Sequence, residues 1–91
     1  MIKEVTFYYP KDIAKTEETY RLRTLNDFIH LSSFIYRRNI VKETKDYKMG
    51  KCIIRVKISW FNSKKFDNFL EKEYSKTKIV YTIKNIYGGN I

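Results

Sequence analysis

His30 is the one histidine and Cys52 the one cysteine in this chain of 91 residues, and together they limit the chemistry available to it. A nucleophilic dyad would need His30 beside Ser32, Ser33 or Cys52. Ser33 follows His30 along the same predicted helix but not at the i+4 spacing, and Cys52 falls on the predicted core face of a strand, where a thiol is normally inert. A lone cysteine excludes an internal disulfide, and one Cys with one His leaves a four-ligand zinc site short of donors. Glycine-rich phosphate loops, Cys-x-x-Cys, His-Glu-x-x-His and Gly-x-Ser-x-Gly are all missing from the sequence. Asp12, just after the first predicted strand, stands where a strand-end carboxylate could hold a divalent ion, but alone it reads as a turn residue. Glu17, Glu18 and Asp27 read as charges placed at a helix start. The expectation is no catalytic site, no metal and no cofactor.

What remains is basic and aromatic. Nineteen Lys and Arg oppose ten Asp and Glu, a net charge of +9, and the chain carries 8 Tyr and 6 Phe. Residues 1–44 hold eight bases and six acids, net +2, whereas residues 45–91 hold eleven and four, net +7. Such an excess attracts polyanions: nucleic acid, an anionic membrane surface or an acidic protein. Alternation along the strands predicts an open sheet face bearing Tyr8, Thr6, Arg55, Lys57, Thr82 and Lys84. An aromatic ring to stack a base and cations to neutralise phosphates make a surface suited to single-stranded RNA. Lys48 and Lys51 flank a hairpin turn that can reach along a phosphate backbone as a basic finger. Further basic runs lie at Arg37-Arg38, at Lys42 with Lys45, and at Lys76 with Lys78.

The expected function is therefore a non-enzymatic nucleic-acid-binding protein, for RNA more than DNA, as an accessory or ribonucleoprotein component using Tyr8, Lys48, Lys51, Arg55, Lys57 and Lys84. The alternative is a protein-interaction module, an inhibitor or modulator encoded by a phage or mobile element, that binds an acidic partner through Tyr20, Phe34 and Arg37. Phe34 stands out because it falls on the polar side of the first predicted helix. The wealth of Lys, Ile, Tyr and Asn against scarce Ala, Pro and Gly is what A+T-rich codons produce, and it suits such an origin. Either reading leaves room for a homodimer through an edge strand.

These residues must be positioned by a fold, and the chain reads as one basic α+β domain over residues 1–91. Ile2 to Tyr9 alternates Val5, Phe7 and Tyr9 against Glu4, Thr6 and Tyr8, the period of a half-buried strand. Pro10 ends it, and residues 11–19 read as a loop. Residues 20–23 fit either a short strand or a first helical turn. Thr24 with Asp27 resembles a loose capping box opening a helix over 24–38. On its wheel Leu25, Phe28, Ile29, Leu31, Ile35 and Tyr36 share the core side, opposite Arg23, Asn26, Asp27, His30, Ser33 and Arg37.

Ile40 to Tyr47 and Lys51 to Trp60 read as a hairpin, with Cys52, Ile54, Val56, Ile58 and Trp60 inward. Asn62 or Ser63 caps a second helix over 63–75 with a Phe66, Phe69, Leu70, Tyr74 stripe. Ile79 to Ile86 forms the last strand, and Gly88-Gly89 leads into a short tail. The order is β-α-β-β-α-β, the ferredoxin-like split arrangement, an antiparallel sheet with two helices on one face.

Lys51-Cys52-Ile53-Ile54-Arg55-Val56 after Gly50 keeps a glycine and a basic residue, as the third strand of the RNA-recognition motif does, but not that family's interior aromatics. Some small ribosomal proteins share a comparable order without those rings. No apolar run reaches the roughly 18 to 20 residues of a membrane span, and the N-terminal residues lack a secretory pattern, so no membrane and a cytoplasmic, organellar or host-cytosol location are expected rather than secretion.

Overall fold

A computed structural model describes residues 1–86, together with all their side chains except that of Arg37. The Gly88-Gly89 tail lies outside the described residues. Strand β1 (Ile2–Tyr8) is followed by helix α1 (Glu17–Ser32), strands β2 (Ile40–Asp46) and β3 (Lys51–Lys57), helix α2 (Ser63–Tyr74) and strand β4 (Val80–Ile86). The strands form one antiparallel sheet in the order β2-β3-β1-β4, so the architecture is α+β.

β1 sits inside the sheet with Lys3, Val5 and Phe7 turned to the helix side, where the buried Lys3 pairs with Asp67 of α2. Val5 and Phe7 are fully buried, and Tyr9 continues the same face. Cys52, Ile54, Val56 and Ile58 of β3 bring the matching alternation beside it. Phe66, Leu70 and Tyr74 close the core from α2, at the i, i+4, i+8 spacing of one helix face. Both helices lie on this face, since the hydroxyls of Tyr9 (β1) and Tyr74 (α2) both donate to Asp27 of α1.

Helix α1 departs from the expected span at both ends. It starts at Glu17, where Thr16 and Thr19 form a reciprocal capping box and Glu17 and Glu18 occupy the positive end of the helix. Residues 20–23 are therefore helical, and Thr24 lies inside the helix, its hydroxyl donating to the Arg21 carbonyl. The helix ends at Ser32, leaving Arg37–Asn39 as a single 3-10 turn.

The buried face of α1 is Tyr20, Thr24, Asp27, Phe28 and Leu31. Leu25, Ile29 and Tyr36, expected inside, are exposed. The physical reason is Asp27: with two phenol donors and the Arg23 guanidinium at 3.3 Å, a carboxylate becomes a satisfied core residue and turns the helix about its axis.

Trp60 is a second correction. Strand β3 ends at Lys57, and a 3-10 turn over Trp60–Asn62, closed by the Asn62 amide on the Ser59 carbonyl, takes Trp60 off the alternation and out of the core.

Candidate nucleic-acid interface

No described helix covers the other side of the sheet. Strand pairing lines up its side chains in cross-strand rows: Tyr8 with Lys51 and Val80, Thr6 with Ile53 and Thr82, Glu4 with Arg55 and Lys84, Ile2 with Lys57 and Ile86. Beyond β3, Thr44 lies beside Ile53 and Lys42 beside Arg55. The residues expected on an open face from alternation alone thus do share one face. The reason is the strict period of two through β1, β3 and β4.

Tyr8 lies near one end of the central strand, 40% exposed, with the Lys51 ammonium 5.9 Å from its ring centroid. That is cation–π range, and it holds the ring between a cation and solvent. Arg55 is half-buried and donates through Nε to Glu4 at 2.9 Å, so its charge is already partly offset. Lys57 and Lys84 are exposed. Lys48 occupies the hairpin turn, which is held by the Asp46 carboxylate accepting from the Met49 amide and by the Tyr47 carbonyl accepting from the Gly50 amide. Gly50 adopts φ +61°, and a Cβ there would stand 2.7 Å from the Tyr9 carbonyl oxygen. Glycine is the residue that can make this turn.

The residues suggested for a protein partner are scattered. Tyr20 is in the core, its hydroxyl donating to the Lys51 carbonyl at 2.5 Å. Phe34 lies beyond the end of α1 and is partly buried, its ring 5.3 Å from Phe69 and 5.8 Å from Phe66. The side chain of Arg37 lies outside the described residues.

Burial is the main force pushing the Cys52 thiol up to about 12, which keeps it protonated. His30 Nδ1 faces the Glu73 carboxylate at 3.4 Å, linking α1 to α2. Asp12 accepts a 2.6 Å bond from Lys78, and that hydrogen bond, more than any other influence, lowers its pKa. Among the described residues no group of three or more His, Cys, Asp and Glu could hold a metal ion, and no helix is long and apolar enough to cross a membrane.

Sequence reasoning missed Trp60 and Phe61, which are 76% and 81% exposed on the turn between β3 and α2. It also missed the outward stripe of Leu22, Leu25 and Ile29 on α1. The cap pair Asn62-Ser63 was the available signal for the former. A strand that must become a helix within a few residues has to turn before the cap. No protein-family model matches the chain, and no curated protein or solved structure matches it.

Proposed function

We propose that this chain is a non-enzymatic binding module for single-stranded nucleic acid, RNA in preference to DNA, acting in the cytosol on a ferredoxin-like split frame. The observation that carries the reading is Tyr8: a half-exposed ring on a central strand, under the Lys51 ammonium, at the head of an uncovered face that also holds Arg55, Lys57, Lys42 and Lys84. Unpaired bases present a π-face to such a ring, while the neighbouring cations neutralise the phosphates that follow. Lys48 extends the basic surface to the hairpin tip. Duplexes bury their bases and leave Tyr8 unused, hence the preference for single strands.

The test is titration of labelled single- and double-stranded RNA and DNA at low and moderate salt. Binding that weakens log-linearly with salt, favours single strands, and is lost in the Arg55→Ala, Lys57→Ala, Lys84→Ala triple variant supports the reading. Absence of binding at low salt overturns it.

A second reading, an interaction module of the kind phages and mobile elements encode, is favoured by Leu22, Leu25 and Ile29, which stand exposed at i, i+3, i+7 on the outward side of α1. Under it, Leu25→Lys with Ile29→Lys abolishes partner binding and leaves oligonucleotide affinity intact.

A further inference from the structure

We propose that the nucleic-acid track runs off the end of β3 onto Trp60 and Phe61, which stack unpaired bases of the same strand; this rests on the nucleic-acid reading above. The two rings are among the most exposed large hydrophobics of the described chain and take no part in the core. Exposing both to water forgoes the stabilisation that burying a ring of this size normally gives. They are also held in place. Ser59 is extended, the 3-10 turn is closed by a 3.0 Å bond from the Asn62 amide to the Ser59 carbonyl, and α2 begins at the next residue. The ring centroids are 5.6 Å apart with planes at 89°. Perpendicular planes cannot both stack on one base, so the pair takes one base on each ring or turns the strand between them.

Ile2 and Lys57, the last row of the open face, border the route to this pair. A shallow depression lined by Met1, Ile2, Lys57 and Ser59 adjoins a second one lined by Met1, Trp60, Phe61 and Lys64, with Met1 on the border. The six-residue step from Tyr8 back to Ile2 is roughly 20 Å, the length of the face the strand would cross first.

Charge favours a polyanion over an acid-poor polypeptide. Lys64 lines the same depression as the rings and Lys57 the adjoining one, and the acid that lines the rings' depression, Asp67, is paired with Lys3 at 2.7 Å. Stacking on exposed rings near cations is sequence-tolerant, because every base has a π-face.

Trp60 is the only tryptophan, so its emission reports on this site alone. The experiment titrates the intact protein with oligouridylates from about 4 to 16 nucleotides, the site sizes common for stacking platforms, and follows both Trp60 emission and the anisotropy of a labelled oligomer. Expected are quenching of Trp60 by the longer oligomers and a roughly 5- to 150-fold loss of their affinity in Trp60→Ala, with an unchanged salt slope because no charge is removed. Phe61→Ala supplies a second variant, and Trp60→Phe retains most of the affinity.

If anisotropy shows binding that the sheet-face triple variant abolishes, but Trp60 emission is unmoved and Trp60→Ala binds normally, the extended track is overturned and the sheet-face reading stands. If no oligomer binds, both fall. If polyglutamate moves Trp60 emission and oligomers do not, the pair belongs to an acidic polypeptide and the track is overturned.

Discussion

The Tyr9 hydroxyl donates a 2.7 Å hydrogen bond to Asp27 Oδ2, joining the end of the central strand to the middle of the first helix inside the core. Tyr74 donates to the other oxygen at 2.8 Å, so one buried carboxylate ties β1, α1 and α2 together. Asp27→Ala orphans both hydroxyls, and at about 1–3 kcal/mol for each unsatisfied buried group it should destabilise by roughly 2–6 kcal/mol. Tyr74→Phe should cost about 1 kcal/mol, because Asp27 keeps Tyr9 and Arg23. Urea midpoints of the two variants against wild type measure the difference.

Alkaline pH should unfold the protein from the core outward. Burial, followed by the Asp27 charge, raises the pKa of Tyr9 and Tyr74; burial, the largest influence in each case, also pushes Tyr20, Tyr81 and Cys52 up to about 12. Each group binds its proton more tightly folded than unfolded. Its stability contribution is whole below the unfolded value, about 8.5 for the thiol and 10 for the phenols, and erodes as pH rises through the folded one. Stability should hold flat to about pH 8.5 and then decline. A set of urea midpoints from neutral pH to pH 11 tests the sign, and rising stability in that window would contradict it.

Arg55 is paired with Glu4 at 2.9 Å, so on the nucleic-acid reading proposed above Glu4 would compete with phosphate for it. Glu4→Gln frees the guanidinium and adds one net positive charge, so oligonucleotide affinity should rise and the salt slope should steepen by about 0.7, the single-strand value per phosphate. Anisotropy titrations at several salt concentrations read both quantities.

Tyr8→Ala should weaken single-strand binding by roughly 5- to 150-fold, the equivalent of about 1–3 kcal/mol for one stacked base, while Tyr8→Phe retains most of it. Equal binding by all three proteins would remove Tyr8 from the interface.

Gly50→Ala forces a Cβ to within 2.7 Å of the Tyr9 carbonyl at φ +61°. The left-handed conformation alone costs a non-glycine residue about 1–2 kcal/mol, and the clash adds to it. The thermal midpoint should drop by at least about 4 °C.

Legibility in the sequence followed how strictly each segment keeps its period. Val5, Phe7, Cys52, Ile54 and Val56 alternate without exception, so β1, β3 and their open face could be read directly, as could α2 from Phe66, Leu70 and Tyr74. The first helix could not. Its core face includes Thr24 and Asp27, while Leu22, Leu25 and Ile29 face water, so a wheel drawn on hydrophobicity places Phe28 and Leu31 inside correctly but Leu25 and Ile29 on the wrong side. Of the three donors that make Asp27 a core residue, only Arg23 is near in sequence; the two phenols stand 18 and 47 positions away, which no local pattern reveals. Trp60 misled for the opposite reason: its parity with Ile58 extends the alternation of β3 past the point where the strand has ended.

The sheet order carries a consequence for biosynthesis. β1 pairs on one side with β3 and on the other with β4, whose register joins Ile2 to Ile86. β1 therefore waits until β4 has been made before its second edge is closed. Until then a row of backbone amides and carbonyls beside Val5 and Phe7 is open to any neighbouring strand, so a nascent chain stalled before residue 80 is the species most prone to aggregate.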